Sequence, residues 1–280
     1  MQIRFPAIRM MECMINAAPV SDVAAGTQSI GRAAAILRFL AASPGHGTSL
    51  GAVVADTGLS KPTSRRILLA LIAAGLVEQD PVSRRYFLGP EACVLGSAAA
   101  HRFGLHRLAF EGVLRLARKT GDAAFFQIRR NFFAVCLQRE DGDYPLRSHV
   151  LAAGDRHPLG VGAAGIALVA ALPEDDAKAV LAANAALIRS RYPVLTRAMI
   201  DDTVAEARAR GYSLNRGLLF PGSWGLGMAV RGPQGRYDGC LSLAAVESRM
   251  QPAREAELVG LLTEEIRWLE QRLREPIHNP

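Results

Sequence analysis

Residues 59–75, LSKPTSRRILLALIAAG, decide how this chain is read. Ser60 is placed to cap a helix N-terminus with its hydroxyl. Pro62 is tolerated in the first turn, where an amide N–H has no helical partner anyway. Beyond them Ile67, Ala70, Leu71 and Ala74 recur at helical spacing, and Leu68 and Ile72 widen the apolar stripe. Lys61, Thr63, Ser64, Arg65 and Arg66 fill the first turns and the opposite face. Such a helix, with small hydroxyls and guanidinium groups at its exposed start, is shaped to enter a DNA major groove. The same pattern fits an ordinary surface helix with a solvated basic face.

The flanks separate the two readings. Upstream, Leu50, Val53 and Val54 mark a short apolar helix, and Asp56-Thr57-Gly58-Leu59 turns at a glycine before the basic helix begins. Helix, short glycine turn and second helix make a helix-turn-helix. Downstream, LVEQ (76–79) reads as a strand, DPVS (80–83) as a turn and RRYFLG (84–89) as a returning strand. This hairpin is a wing, with Arg84 and Arg85 near its tip to touch the DNA backbone beside the groove. Ser29 is expected to cap a support helix with Ala33, Ile36, Leu37 and Leu40 as its apolar face, ending near Ser43-Pro44-Gly45.

Composition agrees with this start. A chain of 280 residues exceeds the usual size of one domain, so two are expected, each with its own core. The net charge of +7 fits a nucleic-acid partner, and it is concentrated: residues 29–89 hold seven cations against three anions. Cys13, Cys93, Cys136 and Cys240 are scattered without a C-x-x-C pair and read as small apolar residues of a reduced protein. The six histidines do not cluster with them, so neither a metal nor a cofactor is expected. No apolar run is long enough to span a membrane. Residues 1–27 lack the hydrophobic segment of a secretory signal and read as a disordered leader, which makes the cytoplasm the expected location.

After the wing, 90–104 reads as an alanine-rich helix, with Cys93, Val94, Leu95 and Ala98 as an apolar surface suited to a linker and a dimer seam. A helix over 105–120 leads to strands over 123–128 and 134–138, turned at Arg130-Asn131, and a third over 144–151. Helix resumes over 163–171. Pro173 opens another whose first-turn acids, Glu174, Asp175 and Asp176, suit the macrodipole better than a metal site. A helix over 200–210 precedes strands over 227–231 and 239–245, joined through Gly232-Pro233-Gln234-Gly235. The last helix, 252–274, is striped by Leu258, Leu261, Leu262, Ile266, Leu269 and Leu273. Alternating helices and antiparallel strands define an α+β domain over 105–275, with a short tail over 276–280.

In this order the parts resemble the IclR family of transcriptional regulators, over nearly everything from 28 to about 274. The segments that carry the resemblance are SIGRAAAILRFL, GLSKPTSRRILLALIAAGLVEQD, the wing end YFLG, GDRHPLGVGAAGIALVAALPEDD, GYSLNRGLLFPGSWGLGMAV and DGCLSLAAVESRM. The resemblance implies a winged helix-turn-helix (28–89), a linker helix (90–104) and a GAF-like α/β effector-binding domain (105–275). It also implies dimers or dimers of dimers on double-stranded operator DNA, and a small organic acid as effector.

Gly160, Gly162 and Gly165 form a literal G-x-G-x-x-G, which as a dinucleotide fingerprint would point to an oxidoreductase. Pro158 speaks against a strand immediately before it, and no acid stands at the ribose position after it. Glycines and alanines opening a helix leave N–H groups bare, and those groups attract an anion. The plainer alternative is a tight turn packing the helix on a sheet. The resemblance implies that this loop holds an effector carboxylate on the backbone amides of Ala163 and Ala164, with further pocket positions at Asn215, Ser223, Gly225, Ser242 and Ala244. Here the chain departs from the family pattern. Asn215 stands where aspartate is usual, Gly225 where cysteine is frequent and Ala244 where serine is frequent, and Ser223-Trp224 replaces an apolar–Arg pair. These exchanges lead us to expect room for a carboxylate larger than glyoxylate or pyruvate. The direction of Trp224 is left open.

For catalysis there is little. No G-x-S-x-G elbow occurs, and His149, His157 and Asp155 imitate a charge relay without a nucleophile, so both histidines read as solvated or loop-structuring. The reading is a DNA-binding regulator and not an enzyme. Its alternative is an enzyme acting on a small organic acid, with an N-terminal interaction module that would need no basic helix or wing.

Overall fold

The computed structural model describes residues 28–41, 45–102, 104–146, 151–232 and 235–274. They divide into two compact units after Arg102. In the first, α1 (Gln28–Ala41), α2 (Leu50–Thr57) and α3 (Lys61–Ala73) precede a hairpin of β1 (Val77–Gln79) and β2 (Tyr86–Leu88), and α4 (Pro90–Arg102) follows. Local chemistry sets the element ends. The Ser49 hydroxyl accepts from the Ala52 amide to open α2, and Gly58 closes it at φ 65°. The Ser60 hydroxyl accepts from the Thr63 amide to open α3. Ile36, Leu40, Val53, Leu68, Leu71, Val77 and Tyr86 form one core that draws on every element from α1 to β2.

The second unit opens with α5 (Gly104–Thr120), then β3 (Ala123–Arg130), β4 (Phe133–Glu140) and β5 (Arg156–Pro158). Helices α6 (Gly162–Ala170), α7 (Glu174–Arg191) and α8 (Arg197–Arg210) follow. Strands β6 (Ser213–Arg216), β7 (Ser223–Arg231) and β8 (Tyr237–Val246) and the long α9 (Pro252–Arg274) complete it. The sheet order is β5-β4-β3-β8-β7-β6, and every neighbouring pair is antiparallel. Side chains alternate between its faces. Ala124, Phe126, Ile128, Leu241, Leu243 and Ala245 pack with α5 and α9, whereas Cys240 packs with α6, α7 and α8.

Three expectations change. Tyr144, Pro145, Leu146 and Leu151 carry no strand. Instead the chain turns at 152–155, where the Asp155 carboxylate accepts from the Ala152 amide, and backbone bonds of Gly154 and Asp155 to Cys136 lead into the pairing of β5 with β4. Pro158 does not exclude a strand: it ends β5, an edge strand in which its missing N–H removes no ladder bond. The dinucleotide reading fails for a different reason, namely that the strand before the glycines belongs to an antiparallel sheet. Finally, β6 was unexpected, and β7 begins at Ser223, ahead of the expected start at Gly227.

One ion cluster ties the end of α5 to the start of α9. The Asp122 carboxylate, 2% exposed, accepts from Arg249 Nε at 2.7 Å and Arg254 Nη2 at 3.0 Å. Both guanidinium groups also donate to the Thr120 carbonyl. Removing the acid leaves two cations without their anion, which costs about 3 kcal/mol for a buried pair. Asp122→Ala is therefore expected to lower unfolding stability by about that amount in urea melts, and a loss below about 1 kcal/mol would mean that the cluster is solvated.

Candidate functional site

The exposed face of α3 is rotated from the expected one. Ser64, Leu68 and Leu71 point inward at i, i+4 and i+7, whereas Ala70 and Ala74 are exposed. Ser64 is fully buried and its hydroxyl has no hydrogen-bond partner, so its expected place in a DNA contact is corrected. The apolar periodicity tolerated a serine on the inner face, where a small side chain lets α3 sit close to its neighbours. Thr63 is half-buried and accepts from the Ser60 hydroxyl at 2.9 Å. Lys61, Arg65 and Arg66 are exposed. Leu69 shares their side of the helix, one turn after Arg65 and 55% exposed, a group suited to a thymine methyl that sequence reasoning passed over.

In the wing the two arginines differ. Arg84 is exposed at φ 59°, in a turn organised by Asp80, whose carboxylate accepts from the Ser83 amide and hydroxyl, both at 2.6 Å. Those bonds hold the Asp80 carboxyl below its ordinary range. Arg85 Nη1 donates to the carbonyls of His46 and Gly47 at 3.2 and 3.1 Å. It fastens the wing to the loop before α2 and is only partly available to a phosphate.

In the second unit, all seven residues expected at the ligand site line one cavity of about 70 Å³. Ala163 and Ala164 come from the start of α6, Asn215 from β6, Ser223 and Gly225 from β7, and Ser242 and Ala244 from β8. The first turn of α6 has no side-chain cap, and its residues line the cavity at the positive end of the helix dipole. Asn215 Oδ1 accepts from the Leu218 amide at 2.9 Å, and Ser242 Oγ from Gln127 Nε2 at 3.1 Å. Trp224 lines the cavity too, with the Arg216 guanidinium 5.9 Å from its ring centre.

The expected spare room at Gly225 is not there. A Cβ at Gly225 would lie 3.3 Å from the Ala163 methyl, and one at Gly227 would lie 2.9 Å from the Ala163 carbonyl carbon. The helix occupies what the glycines leave out. The cavity, about 70 Å³, is roughly half the ~150 Å³ of an enclosed cavity that admits benzene.

Sequence reasoning also missed Phe125, Gln127, Leu151 and His157 at the cavity wall; residues on distant segments carry no linear signal of convergence. His157 is not solvated. It is 6% exposed on β5, its Nδ1 meets the Tyr192 hydroxyl at 3.0 Å, and burial holds its pKa down at about 4. Asp155 points elsewhere, to the Ala152 amide, so no relay exists between them, and His149 lies outside the described residues. Burial raises the thiols of Cys136 and Cys240, the latter to about 12, as fits small apolar residues; Cys93 is exposed. Cys13 lies outside the described residues. Among the described residues no cluster of potential ligands could hold a metal, and no helix is long and apolar enough to cross a membrane.

A winged helix-turn-helix joined to an α/β unit with an uncharged cavity defines a class of DNA-binding regulator. The IclR helix-turn-helix domain matches residues 29–81, and the C-terminal domain of bacterial IclR transcriptional regulators matches residues 97–268. The chain belongs to the IclR family of transcriptional regulators. It is 30% identical over 230 residues to the glycerol operon regulatory protein of Streptomyces griseus, covering 82% of this chain and 89% of that one. Its fold resembles an IclR transcriptional regulator from Alicyclobacillus acidocaldarius (TM-score 0.71, 24% identity, 90% of this chain and 99% of the other). It also resembles an IclR homologue from Microbacterium hydrocarbonoxydans solved with 4-hydroxybenzoate (TM-score 0.69, 17% identity, 88% and 99% covered).

Two outcomes are expected from this geometry. Ser64→Ala should leave DNA sequence preference unchanged in a binding-site selection and leave stability equal or higher, since it removes a buried unpaired hydroxyl. A changed preference would return Ser64 to the interface. For His157, the unfolded chain takes up its proton near pH 6.5 and the folded chain near 4. The stability this neutral ring contributes is thus complete above pH 6.5 and lost as pH falls towards 4, on the order of 3 kcal/mol. Urea melts at pH 7 and 4.5 should show a smaller acid loss for His157→Gln than for the wild type; equal losses would place the acid sensitivity in other groups.

Proposed function

We propose that this regulator binds double-stranded operator DNA through α3 and the wing, and that a compact carboxylate in the cavity alters that binding without being chemically transformed. Lys61, Thr63, Arg65, Arg66 and Leu69 read or approach the groove, and Arg84, with Arg85 in part, positions the unit on the backbone. The observation that carries the ligand reading is the meeting of all seven expected residues at one cavity whose edge is an uncapped helix N-terminus. No charged side chain lines that cavity among the described residues, so the carboxylate is held by amides.

The working form is a dimer or a dimer of dimers in the cytoplasm. One winged unit offers too little surface for a specific site, and two-fold pairing spaces two of them along the duplex. Support comes from α4, which exposes Val94 and Leu95 at 58% and 54%. Residues 90–104 act as linker and seam, and 105–275 as the effector domain.

A gel shift with the protein's own promoter DNA tests the proposal. Affinity should fall steeply with salt as neutralised phosphates release counterions. Arg84→Ala should weaken all sequences alike, whereas Arg65→Ala should also change preference, and equal losses on every sequence would overturn the division into positioning and reading residues. A compact carboxylate that binds the two functional states unequally should shift the titration, and Ala164→Pro, lacking one amide donor, should abolish that shift.

A further inference from the structure

Beside the amide edge of α6, the cavity wall holds a polar ring whose hydrogen bonding is only half used. His157 lines the cavity at 6% exposure, its Nδ1 is engaged by Tyr192, and its Nε2 has no protein partner among the described residues. The protonation pattern follows from elementary acidity. A phenol O–H is a stronger acid than a neutral imidazole N–H, and an imidazole nitrogen is a stronger base than a phenol oxygen. The Tyr192 hydroxyl therefore donates and Nδ1 accepts. Burial keeps the phenol protonated, its pKa pushed up to about 12, and keeps the ring neutral. The one proton of the ring then sits on Nε2. Two elements hold this arrangement. Tyr192 caps the C-terminus of α7 through its backbone N–H, which donates to the Ile188 carbonyl at 2.7 Å, and His157 is paired with Ala134 in the sheet.

The neighbouring polar side chains tilt the wall the same way. The Asn215 oxygen is taken by the Leu218 amide, and the Ser242 oxygen already accepts from Gln127, so both have donors left to offer. A ligand anchored at α6 by its carboxylate meets a second N–H with no protein acceptor, and a buried donor without an acceptor disfavours any ligand that presents hydrocarbon to it.

We propose that His157 is a specificity-determining residue: its Nε2–H receives a second acceptor oxygen of the ligand, so the cavity prefers compact carboxylates bearing a carbonyl over near-isosteric acids bearing hydrocarbon there. The inference rests on the cavity being the effector site. Pyruvate and isobutyrate are suitable probes, close in shape and different in that acceptor. Isothermal calorimetry on the full-length protein should show the wild type favouring pyruvate about tenfold or more. His157→Phe should bring the ratio of the two affinities close to one. His157→Gln, which presents an amide N–H in place of Nε2–H, should keep much of the preference, and Tyr192→Phe, which frees the tautomer, should fall between. Thermal melts identify any variant that fails to fold, and His157→Gln is the milder replacement. Equal loss of both acids in His157→Phe would mean that the ring only supports the wall, and an unchanged ratio would mean that it does not face the ligand; either overturns the proposal. So does a wild type that binds neither acid. An Ala164→Pro protein that binds pyruvate normally would instead overturn the cavity as the effector site, whereas loss in Ala164→Pro with an unchanged ratio in His157→Phe leaves that reading standing and removes His157 alone.

Discussion

The close approach of α6 to the sheet is the constraint on which the second unit depends. Gly227 and Gly225 on β7 present no side chain where the helix begins, and the Ser213 hydroxyl donates to the Ala163 carbonyl at 2.6 Å from the neighbouring strand. A β-carbon at Gly227 would overlap the helix backbone, so a larger residue there has to push α6 off the sheet. That seating brings the first turn of α6 to the cavity together with Asn215, Ser242 and Ala244. The same seating excludes water from one side of the sheet and completes the core formed with α7 and α8. Position of the cavity, its small volume and the polarity of its edge are thus one fact of packing.

On the proposed function, the two units meet anions by opposite physical means. On α3 and the wing, exposed cations on long side chains face solvent, an arrangement suited to many phosphates and sensitive to salt. Inside the second unit, no charged side chain lines the cavity among the described residues, and the field comes from oriented amides and a helix dipole. Flexible charges suit a long polyanion whose register is found by sliding. Fixed dipoles in a small cavity suit one carboxylate held in one orientation, with specificity set by whether each remaining donor finds an acceptor.

Several side chains serve packing where their chemistry alone pointed to recognition. Ser64 has the small hydroxyl expected of a groove contact and is buried instead, because the inner face of α3 runs through 64, 68 and 71. Arg85 has the charge of a phosphate contact and bonds to the His46 and Gly47 carbonyls. Gly225 has the look of vacated ligand space, and Ala163 fills it. In each case the residue type permits the expected role, and packing against another segment of the chain decides where the side chain goes.

The order of elements in the first unit was legible from the sequence because its determinants are local: Ser60 capping α3, Gly58 at its left-handed turn, Asp80 and Ser83 closing the wing. The long α9 was legible for the same reason, its stripe recurring at 3.6 residues. The small-residue start of α6 was legible in the sequence itself, and the positions that line the cavity were legible through short motifs read by resemblance. What only the tertiary structure decided were features set by residues far apart in the chain: the rotation of α3, strand β5 with its terminal proline, the glycine-rich start of β7, and the pairing of His157 with Tyr192. A cap or a helical period acts over a few residues and is written in them. A side chain's burial and its hydrogen-bond partner depend on which distant segment packs against it, and that is settled only when the chain has folded.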